Sequence, residues 1–365
     1  MRVLVVNAGS SSLKVSLVGP DDAVLADREF EASGGRFEDS ELEAAVRAMD
    51  GIEAAGHRVV HGGPRFSSPV RIDSAVVTYL ATITDLAPLH LPTALAGIAA
   101  VGKALPDVPA VACFDTAFHS RMPAAAATYA IPAEWRERYG IRRYGFHGFS
   151  HAYAARMAAQ VLGRPERDLR VVTCHLGAGA SLAAVLGGRS VDTTMGFTPL
   201  EGLVMATRSG SVDPGMLLWL ERHVRLTEPE LSDALDQQSG LKGLAGTGDM
   251  RDLLTRVSAG DEVARLALDV YVHRLRGGIA SMAAAMGGLD ALVFTGGVGE
   301  NATEVRAAAA AGLGFLGVEI DPVLNAKPAD DTDVSAASAS VRTLVIHAHE
   351  DVEVARDVRE LLRRP

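Results

Sequence analysis

The stretch LVVNAGSSSLKVSLV, residues 4–18, interrupts a run of apolar residues with a glycine, three serines and a lysine. The apolar residues on either side predict two strands joined by a tight turn. Serine hydroxyls, backbone N–H groups and the ammonium group of Lys14 suit a bound phosphate. Because Gly and Ser are also the commonest turn formers, an ordinary surface hairpin is the alternative interpretation.

A second stretch of the same design, VTCHLGAGASLAAVL, covers residues 172–186. Both stretches read as strand, glycine-bearing turn and strand, and each opens a run of mixed strands and helices. A duplicated α/β domain would produce this pattern, although two such hairpins can also arise by chance. Alternating helices and strands predict mostly parallel sheets that are covered on both faces. Ligands of such sheets bind at the carboxyl ends of the strands.

The remaining elements are predicted from periodicity and from capping signals. Residues 19–40 are polar and Gly-rich, and they predict a loop or an edge hairpin. Helices are predicted at 40–49, 249–257, 261–286 and 350–363, and strands at 108–114, 289–295 and 341–348.

Length and composition limit the class of protein. The chain has 365 residues, for which two domains are the default, and 48% of them are hydrophobic. The formal net charge of −10 argues against a general nucleic-acid surface. An anionic substrate would therefore need local basic residues rather than a global positive field.

The two cysteines, Cys113 and Cys174, lie in apolar, strand-like runs. Their spacing offers neither a disulfide framework nor a zinc pattern, and reduced core thiols are typical of a cytoplasmic protein. The apolar run at the N-terminus is too short for a signal peptide, and later apolar stretches are broken by charges. We therefore expect a cytoplasmic protein without a membrane partner.

Three glycine-rich turns, at 8–12, 177–181 and 296–299, follow predicted strands. None is a Walker A loop, and none is a convincing dinucleotide fingerprint. Glycine lets the backbone approach a ligand closely. Together the three turns predict a nucleotide held between two domains.

Charged and titratable residues outside these turns are candidates for the chemistry. Arg58 and Arg208 can bind a carboxylate or phosphate in bidentate fashion, although a lone arginine more often forms a structural ion pair. The sequence has no His-Glu-x-x-His motif, so a zinc site is not predicted. Among the histidines, His147 and His175 stand beside sharp turns and are the candidates for the chemistry.

Two carboxylates complete the candidate set. Asp115 ends a predicted buried strand and could orient a reacting group. Glu350 opens the last predicted helix and could hold Mg²⁺ directly or through water. The alternative for Glu350 is purely structural, because an acid in the first turn of a helix is favoured by the helix dipole.

Seven stretches stand in the following order along nearly the whole chain: VVNAGSSSLK (5–14), GHRVVHGG (56–63), FDTAFH (114–119), RRYGFHGFSH (142–151), CHLGAGAS (174–181), MGFTPLEGLVMATRSG (195–210) and FTGGVGEN (294–301). With them the chain resembles the acetate kinases, members of the acetate and sugar kinase, heat-shock chaperone and actin superfamily. RYGFHG and TPLEGL are the most specific of these motifs.

The resemblance implies an α/β fold of duplicated ribonuclease-H-like (actin-like ATPase) domains with an interdomain active-site cleft. The implied domains are 1–119 plus 351–365, and 120–350. The implied reaction is reversible phosphoryl transfer between ATP and acetate, giving ADP and acetyl phosphate with Mg²⁺, for which Mn²⁺ can substitute. A homodimer that binds no nucleic acid is also implied.

The resemblance further implies roles for individual residues. Arg58 and Arg208 resemble the pair that holds acetate and the transferring phosphoryl group, and Asp115 resembles the residue that orients or activates acetate. The implied transition-state stabiliser is His147, supported by His175 and His90. The implied magnesium site is Asn7 and Glu350.

Two binding surfaces are implied in the same way. The residues expected around the acetate methyl group are Val60, Leu89, Phe146 and Pro199. The residues expected to bind ATP are Lys14, Ser10, Ser12, His175, Gly177, Gly179, Asp249, Met250, Arg251, Gly297, Val298 and Asn301.

This chain departs from the family pattern at a few positions, which are Leu91, Ala178, Ala180, Ala206 and His349. These differences bear on turnover rate and acyl preference more than on the type of reaction. Two alternatives follow: a kinase for propionate or another short-chain acid, or a nucleotide-binding relative without turnover.

Overall fold

The computed structural model of the chain describes residues 1–9, 12–31, 39–88, 90–328 and 331–363, which form two compact units. The first unit comprises the described residues of Met1–Ser120, Phe146–Tyr153 and His349–Pro365. The second comprises those of Arg121–Gly145 and Ala154–Ala348. The division into functional domains 1–119 plus 351–365 and 120–350 stays a prediction.

The strands of the described residues are β1 (Val3–Ala8), β2 (Ser12–Val18), β3 (Val24–Glu31), β4 (Ala54–Val59), β5 (Val70–Arg71), β6 (Ala110–Phe114), β7 (Arg170–Leu176), β8 (Ala180–Leu186), β9 (Arg189–Thr193), β10 (Ala291–Thr295), β11 (Thr332–Asp333) and β12 (Arg342–Val345).

The α-helices of the described residues are α1 (Asp39–Arg47), α2 (Ser74–Thr82), α3 (Leu91–Ala104), α4 (Ala124–Ala127), α5 (Ala133–Tyr139), α6 (Gly148–Leu162), α7 (Pro214–His223), α8 (Glu228–Gln237), α9 (Gly240–Ala245), α10 (Met250–Ser258), α11 (Glu262–Ala285), α12 (Gly296–Asn301), α13 (Thr303–Ala311), α14 (Pro322–Ala326) and α15 (Glu350–Arg363). Short 3₁₀ turns occupy Thr84–Leu86, Glu166–Asp168 and Gly314–Leu316.

The two units repeat one sheet. The sheet of the first unit has the order β3-β2-β1-β4-β6-β5, and that of the second has the matching order β9-β8-β7-β10-β12-β11. In both, three antiparallel strands lead into a parallel core, β1-β4-β6 or β7-β10-β12. The predicted duplicated α/β fold is thus confirmed, and the cleft between domains stays a prediction.

Helices cover both faces of the sheet in the first unit. One face packs Leu4, Val6 and Val15 against Leu42 of α1 and Ala94 of α3. The other face packs Val3 and Val5 against the terminal helix α15, through Val354 and Val358. Strand β1 is therefore apolar on both sides, as expected for a central strand whose two faces are covered.

In the second unit the long helix α11 packs against β7 and β8. Its buried residues include Leu268, Leu275 and Ile279, which recur at helical spacing. Among the described residues, no helix combines the length and the apolar character needed to cross a membrane.

The polar segment 19–40 contains β3, a mostly exposed strand that pairs with β2 at the edge of the sheet, so the edge-hairpin alternative is confirmed. The structure corrects two other predicted elements. The predicted turn at 296–299 lies in the short helix α12. The predicted strand 341–348 is shorter, since β12 ends at Val345.

Candidate active site

Three parallel strands of the first unit end at the same edge of the sheet. Asn7 on β1 is in register with Arg58 on β4. Asp115 follows β6 directly, and its backbone N–H donates to the carbonyl oxygen of Val59 at 3.1 Å. The strand ends thus bring together three of the predicted site residues, at the edge where ligands of parallel sheets bind.

The guanidinium group of Arg58 joins these side chains. Its Nε and Nη2 donate to Oδ1 and Oδ2 of Asp115 at 2.9 and 2.6 Å, and its Nη1 donates to Oδ1 of Asn7 at 2.8 Å. Oε2 of Glu350, at the start of α15, lies 3.5 Å from Nε. Two nitrogens of the guanidinium group therefore pair with one carboxylate in the bidentate geometry that only arginine offers.

Burial sets the electrostatics of this cluster, because the Arg58 side chain is 12% exposed and that of Asp115 only 1%. Burial raises the pKa of Asp115, while Arg58 and the backbone N–H of His147 work in the opposite direction. Burial by itself would lower the pKa of Arg58, but attraction to Asp115 and Glu350 outweighs it and raises that pKa. The pair keeps both of its charges at neutral pH.

His147 occupies a backbone conformation that its residue type rarely adopts, with φ of +55°. The next residue, Gly148, passes so close to Asp115 that an added Cβ would lie 2.1 Å from the Asp115 carbonyl oxygen. A side chain at position 148 is therefore excluded. Strain of this kind collects at functional sites and persists only where the surroundings impose it.

Two apolar residues predicted for the acetate methyl group, Val60 and Phe146, are buried in the first unit. The Phe146 ring contacts the His61 ring edge-on at a centroid distance of 5.5 Å. Nε2 of the buried His119 lies 3.0 Å from the carbonyl oxygen of Phe146. His90 precedes α3 as its N-cap residue, without a side-chain capping bond.

The predicted phosphate turn is only partly described. Lys14 on β2 is directly opposite Asn7 on β1, so the two side chains share a face of the sheet. The carbonyl oxygen of Ser12 accepts a hydrogen bond from the Gly9 N–H at 2.8 Å, which closes the turn. Ser10, predicted to bind ATP, and Leu89, predicted to bind acetate, lie outside the described residues.

Arg208, in the second unit, is held less tightly than Arg58. Its Nη1 is 3.4 Å from the carbonyl oxygen of Pro199, and its Nε is 3.9 Å from Oδ1 of Asp236. Burial lowers the pKa of Arg208, and the attraction of Asp236 partly offsets this. A guanidinium group with such long contacts can turn towards an anionic ligand at little cost.

A network that the sequence analysis did not assign fixes the segment carrying Pro199. Nη2 of Arg143 donates to Oε1 of Glu201 at 2.7 Å, and its Nη1 donates to the carbonyl oxygens of Thr194 and Met195. The Tyr129 hydroxyl donates to the other oxygen of Glu201. Arg143 belongs to the motif RYGFHG and Glu201 to TPLEGL. These two motifs were the only feature of the sequence that could have pointed to this network.

A cavity of about 740 Å³ opens in the second unit, within the usual size range of small-molecule sites. Seven of the residues predicted to bind ATP line it: Gly177, Asp249, Met250, Arg251, Gly297, Val298 and Asn301. The others lining it, which the sequence analysis missed, are Ala178, Gly248, Leu254 and Ala302. Apolar and glycine residues give no chemical signal, so only their neighbours in the motifs could have pointed to them.

The other predicted ATP-binding residues of this unit lie beside the cavity. The carbonyl oxygen of Gly179 accepts a hydrogen bond from the Gly177 N–H at 2.9 Å, which closes the turn at 177–181. His175 is on β7 in register with Thr295 of β10, and its Nε2 lies 3.7 Å from where a Gly177 side chain would begin. Both residues shape the turn that lines the cavity.

Asn7 and Glu350 fit a magnesium ion by the chemistry of their donor atoms. Both offer oxygen ligands, and Mg²⁺ usually takes one or two protein carboxylates together with water and substrate phosphates. Among the described residues, no group of three or more His, Cys, Asp or Glu side chains could hold a metal by itself. A site of this kind would need the phosphates of the nucleotide to complete it.

A sequence model of the Acetokinase family matches residues 36–356 of the chain. The chain belongs to this family. Among curated relatives, the acetate kinase of Gloeobacter violaceus is 48% identical over the full length of both chains. The acetate kinase of Geobacillus kaustophilus is 43% identical over 99% of each chain.

Two solved structures of related kinases share the fold of this chain over nearly its whole length. The Porphyromonas gingivalis acetate kinase has a TM-score of 0.91 and 36% identity, covering 99% of this chain and 100% of its own. A propionate kinase from Francisella tularensis has a TM-score of 0.90 and 36% identity, covering 98% of each chain. The acetokinase fold is therefore shared with enzymes named for two different acids.

Proposed function

We propose that this member of the acetokinase family transfers the γ-phosphoryl group of ATP reversibly to acetate, giving acetyl phosphate and ADP. Full-length identity of 48% to an acetate kinase supports this assignment. The observation that carries it is the convergence of Asn7, Arg58, Asp115 and Glu350 at the strand ends of the first unit. Such a set of charges suits a small carboxylate and a metal-bound phosphate.

The chemistry needs little beyond positioning and charge neutralisation. Acetate is already an anionic nucleophile near neutral pH, so no strong base is required. Phosphoryl transfer then depends on holding the reactants in line and neutralising the equatorial oxygens. We assign the neutralising charge to Arg58, Arg208 and His147.

Asp115 has a different task in this proposal. Its carboxylate fixes the planar guanidinium group of Arg58 through two hydrogen bonds. An oriented guanidinium can bind acetate without first reorganising, which is how preorganised groups lower a barrier. Asp115 therefore orients the acetate carboxylate through Arg58, whose guanidinium group it holds in place.

The nucleotide is assigned to the cavity of the second unit, with Lys14 and Ser12 directed at the phosphates. Asn7 and Glu350 would hold Mg²⁺, or Mn²⁺ in its place. When bound, the metal supplies positive charge that offsets the charge of the phosphates. The glycines at 177, 179 and 297 keep the backbone open to a ligand.

Propionate kinase is the second candidate function, because the Francisella propionate kinase structure matches this chain as closely as the Porphyromonas acetate kinase structure does. The proposed methyl pocket of Val60, Leu89, Phe146 and Pro199 would have to accept one more methylene group. A hydrophobic pocket discriminates against one methylene by only about 1–3 kcal/mol, so both acids can react.

A hydroxamate assay tests the proposal directly. The full chain is incubated with ATP, Mg²⁺ and hydroxylamine, and with acetate, propionate or butyrate, and acyl hydroxamate is measured. We expect the highest kcat/KM with acetate and no product when the acid is omitted. A higher kcat/KM with propionate would select the second candidate, and no product at high enzyme concentration would favour a relative without turnover.

We further propose a cytoplasmic homodimer that binds neither nucleic acid nor membrane. Support for self-association comes from α7, in which no residue is buried. Its side chains Met216, Leu218 and Trp219 are 42, 52 and 53% exposed, and Val212 and Val224 flank them. Large apolar side chains grouped in this way are typical of a protein interface.

A further inference from the structure

The short helix α12 supplies Gly297, Val298 and Asn301 to the cavity that we assign to the nucleotide. It has only six residues, and isolated helices of this length are unstable in water. Contacts from outside the helix must therefore fix it. Two charged side chains make these contacts: Glu300, within α12, reaches the residue Ala348 beyond the helix, and Arg306, on α13, reaches back to α12.

Glu300 ties the beginning of α12 to the end of a neighbouring strand. Its Oε1 accepts hydrogen bonds from the N–H of Gly296 at 2.8 Å and from the N–H of Ala348 at 3.0 Å. Gly296 begins α12 directly after β10, and Ala348 follows β12, which pairs with β10 in parallel. One carboxylate oxygen thus links two adjacent strand ends.

The conformation of Gly296 leaves no room for a side chain. It has φ of +78°, and an added Cβ would lie 2.9 Å from the carbonyl oxygen of Leu176. Gly296 is buried, and its N–H would have no partner if the carboxylate of Glu300 were removed. Leaving a buried donor unpaired is costly, so the turn would rearrange.

Arg306 secures the other end of the helix. It is 0% exposed, and its Nη1 donates to the carbonyl oxygens of Gly299 and Glu300 at 2.9 and 2.7 Å. Its Nε and Nη2 donate to the Oδ1 and the carbonyl oxygen of Asn325 at 2.7 and 2.9 Å. A cation at the carboxyl end of a helix satisfies its free carbonyl groups and its dipole.

We propose that Glu300 is a positioning residue for the nucleotide, which sets the geometry of α12 with Arg306 as its counterpart. The inference rests on the proposed assignment of this cavity to ATP and ADP. The essential property of Glu300 is an acceptor oxygen at the correct reach rather than its negative charge, because both partners of Oε1 are uncharged N–H groups and Nε2 of His347 lies 4.0 Å from Oε2, beyond hydrogen-bond distance. Glutamine keeps that oxygen, aspartate shortens the reach, and alanine removes it.

The experiment compares E300Q, E300D and E300A with wild type in the full-length protein. The exposed Glu304 on α13 provides the matched control E304A, which also removes one carboxylate. ADP binding is measured by calorimetry without acetate, and KM for ATP and for acetate is measured in the hydroxamate assay. Circular dichroism spectra and melting temperatures establish that each variant is folded.

We expect E300A to raise Kd for ADP and KM for ATP about tenfold, because a misplaced helix weakens every contact it makes with the ligand. KM for acetate should stay within about twofold, since the proposed acetate residues lie elsewhere. E300Q and E304A should behave as wild type, and E300D should fall between E300Q and E300A. E300D keeps the test available if E300A does not fold.

The outcomes separate this inference from the proposed function. Wild type that binds ADP, together with folded E300A or E300D variants that bind it equally well, would overturn the inference alone. The inference is also overturned if E300Q is as defective as E300A, because the charge would then be essential. Wild type that binds no ADP would overturn both proposals, whereas ADP binding without acetyl phosphate formation would overturn only the activity.

Discussion

Arg58 and Arg208 are both candidates for binding an anion, yet their surroundings differ. Arg58 donates to three oxygens at 2.6–2.9 Å and lies beside Glu350. Arg208 has its nearest oxygen at 3.4 Å. The first is therefore a fixed group inside a charge cluster, while the second can still adjust its position.

Replacement of either arginine by alanine should reduce kcat for acetyl phosphate formation by at least about a hundredfold, because each removes charge that stabilises the transition state. The variants should differ in stability. R58A leaves the buried carboxylate of Asp115 unpaired and should cost about 3–5 kcal/mol of unfolding free energy. R208A should unfold almost as wild type does.

R265A, at an exposed position of α11, is the matched control for loss of one arginine and should leave kcat and stability unchanged. Rates come from the hydroxamate assay and stabilities from urea unfolding. Near-normal kcat in folded R208A would remove this residue from the proposed mechanism.

For individual residues, the sequence predicted which residue types stand at the strand ends but not which side chains they contact. Arg58 and Asp115 stand in motifs, and Glu350 was identified from its place at the start of the last predicted helix. Their joint hydrogen bonding depends on the register of β1, β4 and β6, which no local pattern encodes. Glu300 was missed for the same reason, since Ala348 is 48 positions away along the chain.

Among the elements, α7 contrasts with the other helices that carry large apolar residues. Helices α3 and α11 bury their apolar faces within their own units. Helix α7 has a comparable set, in Leu218 and Trp219, with none of it buried. Exposed apolar area of this kind is stabilised when a second protein surface covers it.

We expect wild type to have twice the chain mass of 38.2 kDa in light scattering after gel filtration. W219E places a charge in the proposed interface and should shift the mass to that of one chain, because an unpaired charge in a buried interface is strongly unfavourable. The matched control E221A changes an already polar position of α7 and should leave the mass unchanged. A dimeric W219E protein would show that α7 lies outside the interface.

Prediction of elements succeeded where periodicity was strong and failed where it was weak. The predicted helices 261–286 and 350–363 appear as α11 and α15, with their starts within one residue of expectation. For β3 the sequence left two alternatives, a loop or an edge hairpin, because the strand is polar and mostly exposed, so that neither alternation nor an apolar run identifies it. Backbone pairing with β2 alone makes it a strand.

The molecule as a whole contains several histidines that are buried in the neutral form. Burial lowers the pKa of His57, His61 and His119 to about 4 in each case. His57 is 2% exposed, and neither of its ring nitrogens has a hydrogen-bond partner among the described residues. The folded protein therefore keeps these side chains neutral at acidic pH values at which a free histidine would be protonated.

The sign of the pH dependence follows from linkage. An unfolded histidine, with a pKa near 6.5, takes up a proton as the pH falls from 6.5 towards 4, whereas the folded one stays neutral. Stability is thus complete above about pH 6.5 and should fall by ~2 kcal/mol per histidine at pH 5. Asp357 and Asp115 oppose this trend, because burial raises the pKa of Asp357 to about 7 and that of Asp115 to about 6.

The variant H57M tests this expectation, since methionine fills a similar volume and cannot titrate. The difference in unfolding free energy between pH 7.5 and pH 5, measured with urea, should be ~2 kcal/mol smaller in H57M than in wild type. His273, exposed on α11, supplies the control H273M, for which that difference should not change. An unaltered pH difference in H57M would contradict the assignment.

The overall architecture was the most predictable level. Two hairpins of like pattern, at residues 4–18 and 172–186, implied a duplicated fold, and the matching strand orders confirm it. Repeats are visible in sequence because each copy must satisfy the same packing constraints. The return of the last helix to the first unit follows no local rule.

That return has a consequence for synthesis on the ribosome. Val354 and Val358 of α15 complete one face of the sheet that begins at Val3, and the side chain of Arg359 bonds the carbonyl oxygen of Met1. The amino-terminal half must therefore wait, incompletely folded, until the end of the chain has been released. Chaperones that bind nascent chains are therefore expected to bind the residues that are made first for the longest time.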